Sequence, residues 1–283
     1  MRALVTGSSG SIGSALARAL SHNMEVVGID LVPGKYTSSV FDLQQIDKLR
    51  RCLETVDAII HCAGLHAPHV GIASDGEFKR ANVDVTSNLL NYSRPTSPFV
   101  FTSSTSVYGH ALESTSGVVW IDERVQPSPR DIYDKTKLQA EQLVKAAASE
   151  NRPTTVLRMS RCFPEVERVM ALYRLYRGVD RRDVVLAHQL ALERICGYAE
   201  YVISGPCVFS EADLPQLAVD PWSVVLSYYP RAAEMFKEKG WQPISRIDRV
   251  YSSSLAKEQL GYNARYGFME CLSSHHDPLP LVS

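Results

Sequence analysis

A tyrosine and a lysine four positions apart are the residues best suited to chemistry in this sequence. Tyr133 and Lys137 stand near the start of residues 131–149, whose pattern predicts a helix, and the spacing places both on one helix face. An ammonium group beside a phenol stabilises the phenolate and lowers the pKa of the phenol, which turns tyrosine into an acid and base usable near neutral pH. The same spacing is common on solvated helix faces, so the pair needs support from elsewhere in the chain.

Hydroxyl side chains are concentrated in a second segment, residues 103–109 (SSTSVYG), which includes Ser104 and Ser106. The segment follows residues 98–102 (PFVFT), whose pattern predicts a strand. Ligands of open parallel sheets lie beyond the carboxyl ends of the strands, so these hydroxyls would face a ligand crevice. An ordinary serine-rich turn is the structural alternative.

The start of the chain predicts a strand, a glycine-rich turn and a helix. Apolar residues 3–5 lead to Gly7, Gly10 and Gly13, and a helical pattern of small residues follows. Glycines let the backbone approach a pyrophosphate, while a helix N-terminus offers unpaired N–H groups and the positive end of its dipole. Gly13 would also let the helix pack tightly on the sheet. These features indicate a dinucleotide site.

An acidic residue ends the second predicted strand, residues 25–30 (EVVGID). The carboxylate of Asp30 would accept hydrogen bonds from the two hydroxyls of an adenosine ribose. It would repel a 2′-phosphate, and no arginine follows it directly. The sequence therefore favours NAD over NADP as the cofactor.

The framework that must position these groups is an alternation of strand and helix patterns. Strands are predicted at residues 25–30, 39–43, 56–61, 98–102 and 154–159, and helices at residues 44–53, 77–92 and 131–149. This order implies right-handed crossovers and a parallel sheet with helices on both faces. We therefore predict an α/β fold, with a Rossmann-type doubly wound parallel sheet in residues 1–158. Residues 159–283 would form mainly a small C-terminal substrate lobe, with residues about 179–204 returning to the sheet.

Composition excludes several classes of function. The chain has 283 residues, 45% of them hydrophobic, which is enough for a large core. Its 30 basic and 31 acidic residues give a net charge of −1, so neither nucleic acid nor membrane is expected as a partner. No segment is apolar enough to span a bilayer, and we expect a cytoplasmic protein that acts on a small molecule.

The cysteines and histidines give no sign of a metal site. The six cysteines include no C-x-x-C pair, so neither a zinc site nor a disulfide framework is indicated; they are Cys52, Cys62, Cys162, Cys196, Cys207 and Cys271. His66 and His69 flank a proline, and His275 and His276 stand near the end of the chain. Because two histidines alone are weak evidence for an ion, no metal is predicted.

Taken jointly, the motifs resemble the extended short-chain dehydrogenase/reductases, the NAD-dependent epimerase/dehydratase family. The family's Thr-Gly-x-x-Gly-x-x-Gly turn matches residues 6–13. The resemblance continues through most of the chain, in residues 42–43, 61–64, 82–84, 103–109, 133–137, 157–158 and 251–262.

The resemblance implies specific roles. Tyr133 would be the general acid and base, Lys137 would lower its pKa and hold the nicotinamide ribose, and Ser104 would hydrogen-bond the reacting oxygen. Cofactor contacts are implied for Gly7, Gly10, Ser11, Ile12, Gly13, Asp30, Asp42, Leu43, Ala63 and Gly64.

Four residues are candidates for substrate binding: His66, Ser106, Arg161 and Arg174. The two arginines belong to a group of seven between residues 158 and 182, where an arginine could grip an anionic substrate group. A solvated, charged helix and turn is the alternative interpretation of the arginine group.

The implied chemistry is oxidation of a sugar-type secondary hydroxyl by hydride transfer to NAD. The resulting ketone could be reduced from its other face, as in a nucleotide-sugar epimerase, lose water, or leave. Residues 160–165 lack the asparagine usual in nucleotide-sugar enzymes of the family and look more like the short uronate dehydrogenases. A simple dehydrogenase of a free sugar, uronate or small alcohol therefore stays open, as does a non-catalytic NAD-sensing protein. A homodimer through the helices matching residues 77–92 and 131–149 is usual in the family.

Overall fold

A parallel sheet of seven strands organises the computed structural model, which describes residues 1–113, 117–194 and 197–273. The strands of the described residues, including two outside this sheet, are β1 (Arg2–Thr6), β2 (Glu25–Asp30), β3 (Ser39–Val40), β4 (Ala58–His61), β5 (Phe99–Ser104), β6 (Val119–Ile121), β7 (Thr154–Met159), β8 (Tyr198–Ile203) and β9 (Arg249–Tyr251). The order in the main sheet is β3-β2-β1-β4-β5-β7-β8, and β6 pairs with β9 in a separate parallel sheet. The strand order reverses between β1 and β4, which is where open α/β sheets bind ligands.

Helices cover both faces of the main sheet. The helices of the described residues are α1 (Ser11–Leu20), α2 (Ile46–Leu53), α3 (Asp75–Lys79), α4 (Val85–Tyr92), α5 (Ile132–Ala146), α6 (Glu167–Tyr176), α7 (Arg181–Glu193), α8 (Leu214–Val219), α9 (Pro221–Tyr228), α10 (Ala232–Glu238), α11 (Ser254–Leu260) and α12 (Phe268–Ser273), of which α1, α2, α4, α5, α7 and α11 pack on the main sheet. Leu4 and Val5 of β1 point to opposite faces, as successive strand residues must, and join different core clusters. Val5 packs with α1 and α7, and Leu4 packs with α2, α4 and α5. The prediction of a doubly wound α/β fold is confirmed.

A separate aromatic cluster lies in the C-terminal part of the chain. Phe236 is 2% exposed, and its ring centroid lies 4.7 Å from that of Trp222 and 5.4 Å from that of Trp241. Phe268 of α12 closes the cluster at 6.1 Å from Phe236. The helices α6, α9, α10 and α12 therefore pack around a core of their own, distinct from the two sheet cores.

Two elements differ from their predicted bounds for identifiable reasons. The third strand stops at Val40 because Asp42 starts a turn, in which its Oδ1 accepts from the backbone N of Gln44 at 2.9 Å. The helix predicted at residues 77–92 contains a π-helical turn, Arg80–Asp84, between α3 and α4. Such turns are frequent at functional sites, and this one carries Asn82.

The two edges of the main sheet are built differently. The edge strand β3 is only two residues long. At the opposite edge, the backbone N of Val202 in β8 donates to Oε1 of Glu123 at 2.6 Å. Burial raises the pKa of that carboxyl group. A side chain thus pairs with a backbone group at the outer edge of β8.

Within the described ranges, no helix is long and apolar enough to cross a membrane. The cysteines of this part of the chain, Cys52, Cys62, Cys162, Cys207 and Cys271, are free thiols. Cys196, His275 and His276 lie outside the described residues.

Candidate active site

The glycine-rich turn lies directly against the end of β4. Gly7 has a φ of 71°, a left-handed conformation that favours glycine, and a Cβ there would lie 2.9 Å from the backbone N of Ala63. A Cβ on Gly13 would lie 2.0 Å from the carbonyl oxygen of Gly7. Both positions therefore exclude a side chain, and the turn brings the N-terminus of α1 to the carboxyl ends of β1 and β4.

A buried hydrogen-bond chain holds the two strand ends together. Thr6 Oγ1 accepts from the backbone N of Cys62 and of Ala63, both at 3.2 Å, and bonds His61 Nδ1 at 2.7 Å. His61 Nε2 lies 3.0 Å from Thr86 Oγ1, which donates to the carbonyl oxygen of Asn82 at 2.6 Å. This donor order requires a neutral ring with its proton on Nε2. Burial lowers the pKa of His61 to about 3, in agreement with a neutral ring.

Asp30 is held in place by two backbone amides. Its Oδ2 accepts from the N of Ser9 at 2.9 Å, and its Oδ1 accepts from the N of Val32 at 3.2 Å. The carboxylate thereby connects the end of β2 to the glycine-rich turn. Leu31 and Val32, which follow it, are exposed by 68% and 56%. A role for Asp30 as the ligand of an adenosine ribose stays a prediction.

The predicted adenine contacts lie after β3. Asp42 is exposed and Leu43 is 6% exposed, its side chain packing in the sheet core with Phe41. Near the turn, Ile12 packs partly against the core, and Ser11 is exposed.

Ser104, Ser106 and Tyr133 meet beyond the end of β5. The side chain of Asp131 caps α5 by accepting from the N of Asp134 at 2.9 Å, which fixes the first turn that carries Tyr133. Ser104 Oγ accepts from the N of Ser106 at 3.1 Å. Burial raises the pKa of Tyr133 to about 12, while hydrogen bonding by the two serines acts to lower it. The phenol is 8% exposed.

Lys137 is buried one turn further along α5. The residue is 3% exposed. Its Nζ donates to the carbonyl oxygen of Thr102 at 3.0 Å and lies 4.8 Å from the ring centroid of Phe101. Burial lowers its pKa to about 8, against the opposing effect of Cys62 and Glu141. A Cβ on Gly64 would lie 3.7 Å from Nζ of Lys137, so the ammonium group is close to the end of β4.

The upward shift of the Tyr133 pKa differs from the sequence prediction that Lys137 lowers it. Burial has the largest effect, and the carboxylate of Asp134 acts in the same direction. Asp134 is 1% exposed, and its Oδ1 has no hydrogen-bond partner in the described part of the chain. Burial therefore favours the protonated phenol, and a positive charge nearby would favour the phenolate.

Two of the residues predicted to bind substrate, His66 and Ser106, lie near Lys137 and Tyr133. His66 is half-buried near Lys137, and burial together with that lysine lowers its pKa to about 4. Ser106 Oγ is buried and makes no hydrogen bond of good geometry with a described residue. Both groups are neutral, with Ser106 beside Tyr133 and His66 near Lys137.

The two predicted arginines are engaged elsewhere. Arg161 is exposed, forms an ion pair with Glu165 and lies over the ring of Phe163 at 5.3 Å. Arg174 is 7% exposed and pairs with Asp180 at 3.1 Å, inside the packing of α6. This environment favours a structural role for Arg174, and a substrate contact there stays a prediction.

A buried ion pair below the serines was not identified from the sequence. Arg158 Nη2 donates to Glu141 Oε2 at 2.8 Å, and Ser103 Oγ donates to Glu141 Oε1 at 2.5 Å. Both charged side chains are at most 4% exposed. The sequence does place Glu141 four positions after Lys137, on the same face of α5, and this spacing is the pattern from which the buried carboxylate could have been predicted.

Three comparisons with known proteins bear on this site. The family model described as NAD dependent epimerase/dehydratase family matches residues 3–199. The uncharacterized protein y4nG of Sinorhizobium fredii is 25% identical over 93% of this chain and 75% of its own length. The uncharacterized UDP-glucose epimerase YtcB of Bacillus subtilis is 31% identical over 62% of each chain, so the match spans less than two thirds of that relative.

A solved structure shares the fold almost end to end. The structure of MoeE5 in complex with UDP-glucuronic acid and NAD superposes with a TM-score of 0.69 at 25% identity, covering 96% of this chain and 97% of the other.

Proposed function

The chain belongs to the NAD dependent epimerase/dehydratase family, and on that premise we propose that it oxidises a sugar-type secondary hydroxyl with NAD, as a nucleotide-sugar epimerase. The observation that carries the proposal is the grouping of Ser104 and Tyr133 at the end of β5, one helical turn from Lys137. The similarity to YtcB and to MoeE5, which was solved with a nucleotide sugar, supports this substrate class.

The residues around the glycine-rich turn fit NAD. A Cβ on Gly13 would meet the carbonyl oxygen of Gly7, so glycine lets α1 start against the turn, and the N–H groups of the first turn of α1 would meet a pyrophosphate. The carboxylate of Asp30 stands at the end of β2, where a ribose would present its hydroxyls. When bound, NAD supplies the hydride acceptor and the positive charge of its nicotinamide ring.

The protein's own residues would perform the proton chemistry. Ser104 hydrogen-bonds the reacting oxygen, and Tyr133 Oη takes the hydroxyl proton as the carbon loses its hydride. Lys137 holds the adjoining ribose and, as an ammonium group, favours the phenolate. In an epimerase the ketone turns within the site and the hydride returns to its other face, with Tyr133 giving the proton back.

The test of the proposed function is the cofactor content of freshly purified, denatured protein, measured by absorbance and mass spectrometry. We expect stoichiometric NAD, because an epimerase regenerates its cofactor in place. An empty site that binds added NAD would favour the alternative, a simple dehydrogenase of a free sugar, uronate or small alcohol. NAD binding without turnover of any such substrate would favour an NAD-sensing protein.

Substitution of Asp30 should change cofactor preference. We expect Asp30→Ala to raise the Kd of NAD about tenfold and that of NADP less, because the lost carboxylate accepts from a ribose but repels a 2′-phosphate. Titration of both cofactors measures the ratio. Asp30→Asn, which keeps an acceptor oxygen for the N of Ser9, is the control for damage to the turn. Equal losses for both cofactors would argue against Asp30 as the ribose ligand.

The remaining expectations, a homodimer and a cytoplasmic location, stay predictions. Four of the five exposed positions of α5 are polar, Lys135, Gln139, Gln142 and Lys145, and the fifth is Ala146 at its end, so a dimer through this helix would bury mainly hydrophilic side chains.

A further inference from the structure

Arg181 contacts the N-terminus of α1 although it is 170 residues distant from it in sequence. Its Nη1 donates to Ser11 Oγ at 3.2 Å. Ser11 is the first residue of α1, and the cap residue Gly10 has no side chain to bond the free N–H groups there. Because α7 packs beside α1, the contact places a guanidinium group next to the glycine-rich turn.

The charge of this guanidinium is not neutralised by the protein. Other arginines of the same region have carboxylate partners: Arg158 pairs with Glu141, Arg161 with Glu165, and Arg174 and Arg182 both with Asp180. Arg181 has no ion pair with any residue of the described ranges and is half-buried. Residues 7–14 include neither lysine nor arginine.

We propose that Arg181 binds the pyrophosphate of the cofactor. A helix N-terminus contributes the equivalent of only about half a positive charge, and the pyrophosphate of NAD carries two negative ones. An arginine with free donors forms strong, charge-assisted hydrogen bonds to phosphate oxygens. The contact to Ser11 holds the side chain where the pyrophosphate is expected. A residue outside the first 158 thus completes the cofactor site. The inference rests on the proposed use of NAD.

The test is the Kd of NAD for the full-length protein freed of bound nucleotide, measured by calorimetry at about 50 mM and about 500 mM NaCl. We expect Arg181→Met to raise the Kd about tenfold at low salt, with a smaller difference from wild type at high salt, because salt screens the charge. Arg181→Lys should recover part of the loss. Arg18→Met, at the other end of α1, is the control and should bind as wild type does.

Three outcomes would overturn the inference. A Kd within twofold of wild type for Arg181→Met at low salt would remove the arginine from the site. A loss of equal size at both salt concentrations would indicate a structural role instead. If the wild-type protein itself fails to bind NAD, the proposed function fails as well, which distinguishes the two failures.

Discussion

Replacement of Tyr133 by phenylalanine is expected to lower kcat by about 10²–10⁴-fold while leaving the Kd of NAD within about twofold of wild type. The phenol oxygen of Tyr133 accepts the proton in the proposed reaction. The substitution removes that oxygen and leaves the ring of a residue that is only 8% exposed. Turnover of a nucleotide sugar and calorimetric titration with NAD measure the two effects separately. Tyr92→Phe, in which the ring stays 4.4 Å from the guanidinium of Arg50, is the control for loss of a phenol elsewhere.

The pH dependence of kcat gives a second readout for Tyr133. Its pKa is raised by burial to about 12 in the protein alone, so the phenolate form increases with pH throughout the neutral range. We expect kcat of the wild type to rise with pH until the pKa of the loaded site, which the positive nicotinamide ring lowers. Normal turnover by the phenylalanine variant would contradict the mechanism.

Replacement of Arg158 by methionine is expected to lower the free energy of unfolding by about 3–5 kcal/mol. Among the described residues, the substitution leaves the buried carboxylate of Glu141 with only the hydroxyl of Ser103 as a close donor. A buried charge without its partner costs far more than an exposed one. Urea unfolding followed by circular dichroism measures the change.

Two further variants test whether the loss of stability comes from the unpaired charge of Glu141. The double substitution Arg158→Met with Glu141→Leu should recover much of the lost stability, because it removes both charges and retains apolar volume. Glu25→Gln, which breaks the exposed pair with Arg2, should cost no more than about 1 kcal/mol. A loss below 1 kcal/mol for Arg158→Met alone would show that water reaches Glu141.

The sequence predicts those features of the site that depend on local pattern. The alternation of strands and helices determines the parallel sheet, and that sheet collects its carboxyl ends at one edge, so Ser104 and Tyr133 come together as expected. The glycine spacing is equally local, since Gly7 and Gly13 lie in one turn. In each case the information is contained within a few residues.

The features that the sequence does not predict depend on contacts between distant segments. The ionic state of Tyr133 depends on burial by the whole fold, which reverses the pKa shift expected from its spacing to Lys137. Arg174 and Arg181 are both arginines of one charged region, yet the former pairs with Asp180 and the latter contacts Ser11. Only the packing of α7 against α1 distinguishes them.

The bond between Glu123 and Val202 bears on aggregation. An exposed strand edge presents unpaired N–H and C=O groups that can recruit a strand from another molecule and start an intermolecular sheet. At one border of this sheet β3 offers only two residues for such recruitment, and at the other a carboxylate occupies an amide of β8. The chain therefore protects both borders of its sheet against the self-association to which a parallel sheet is exposed while it folds.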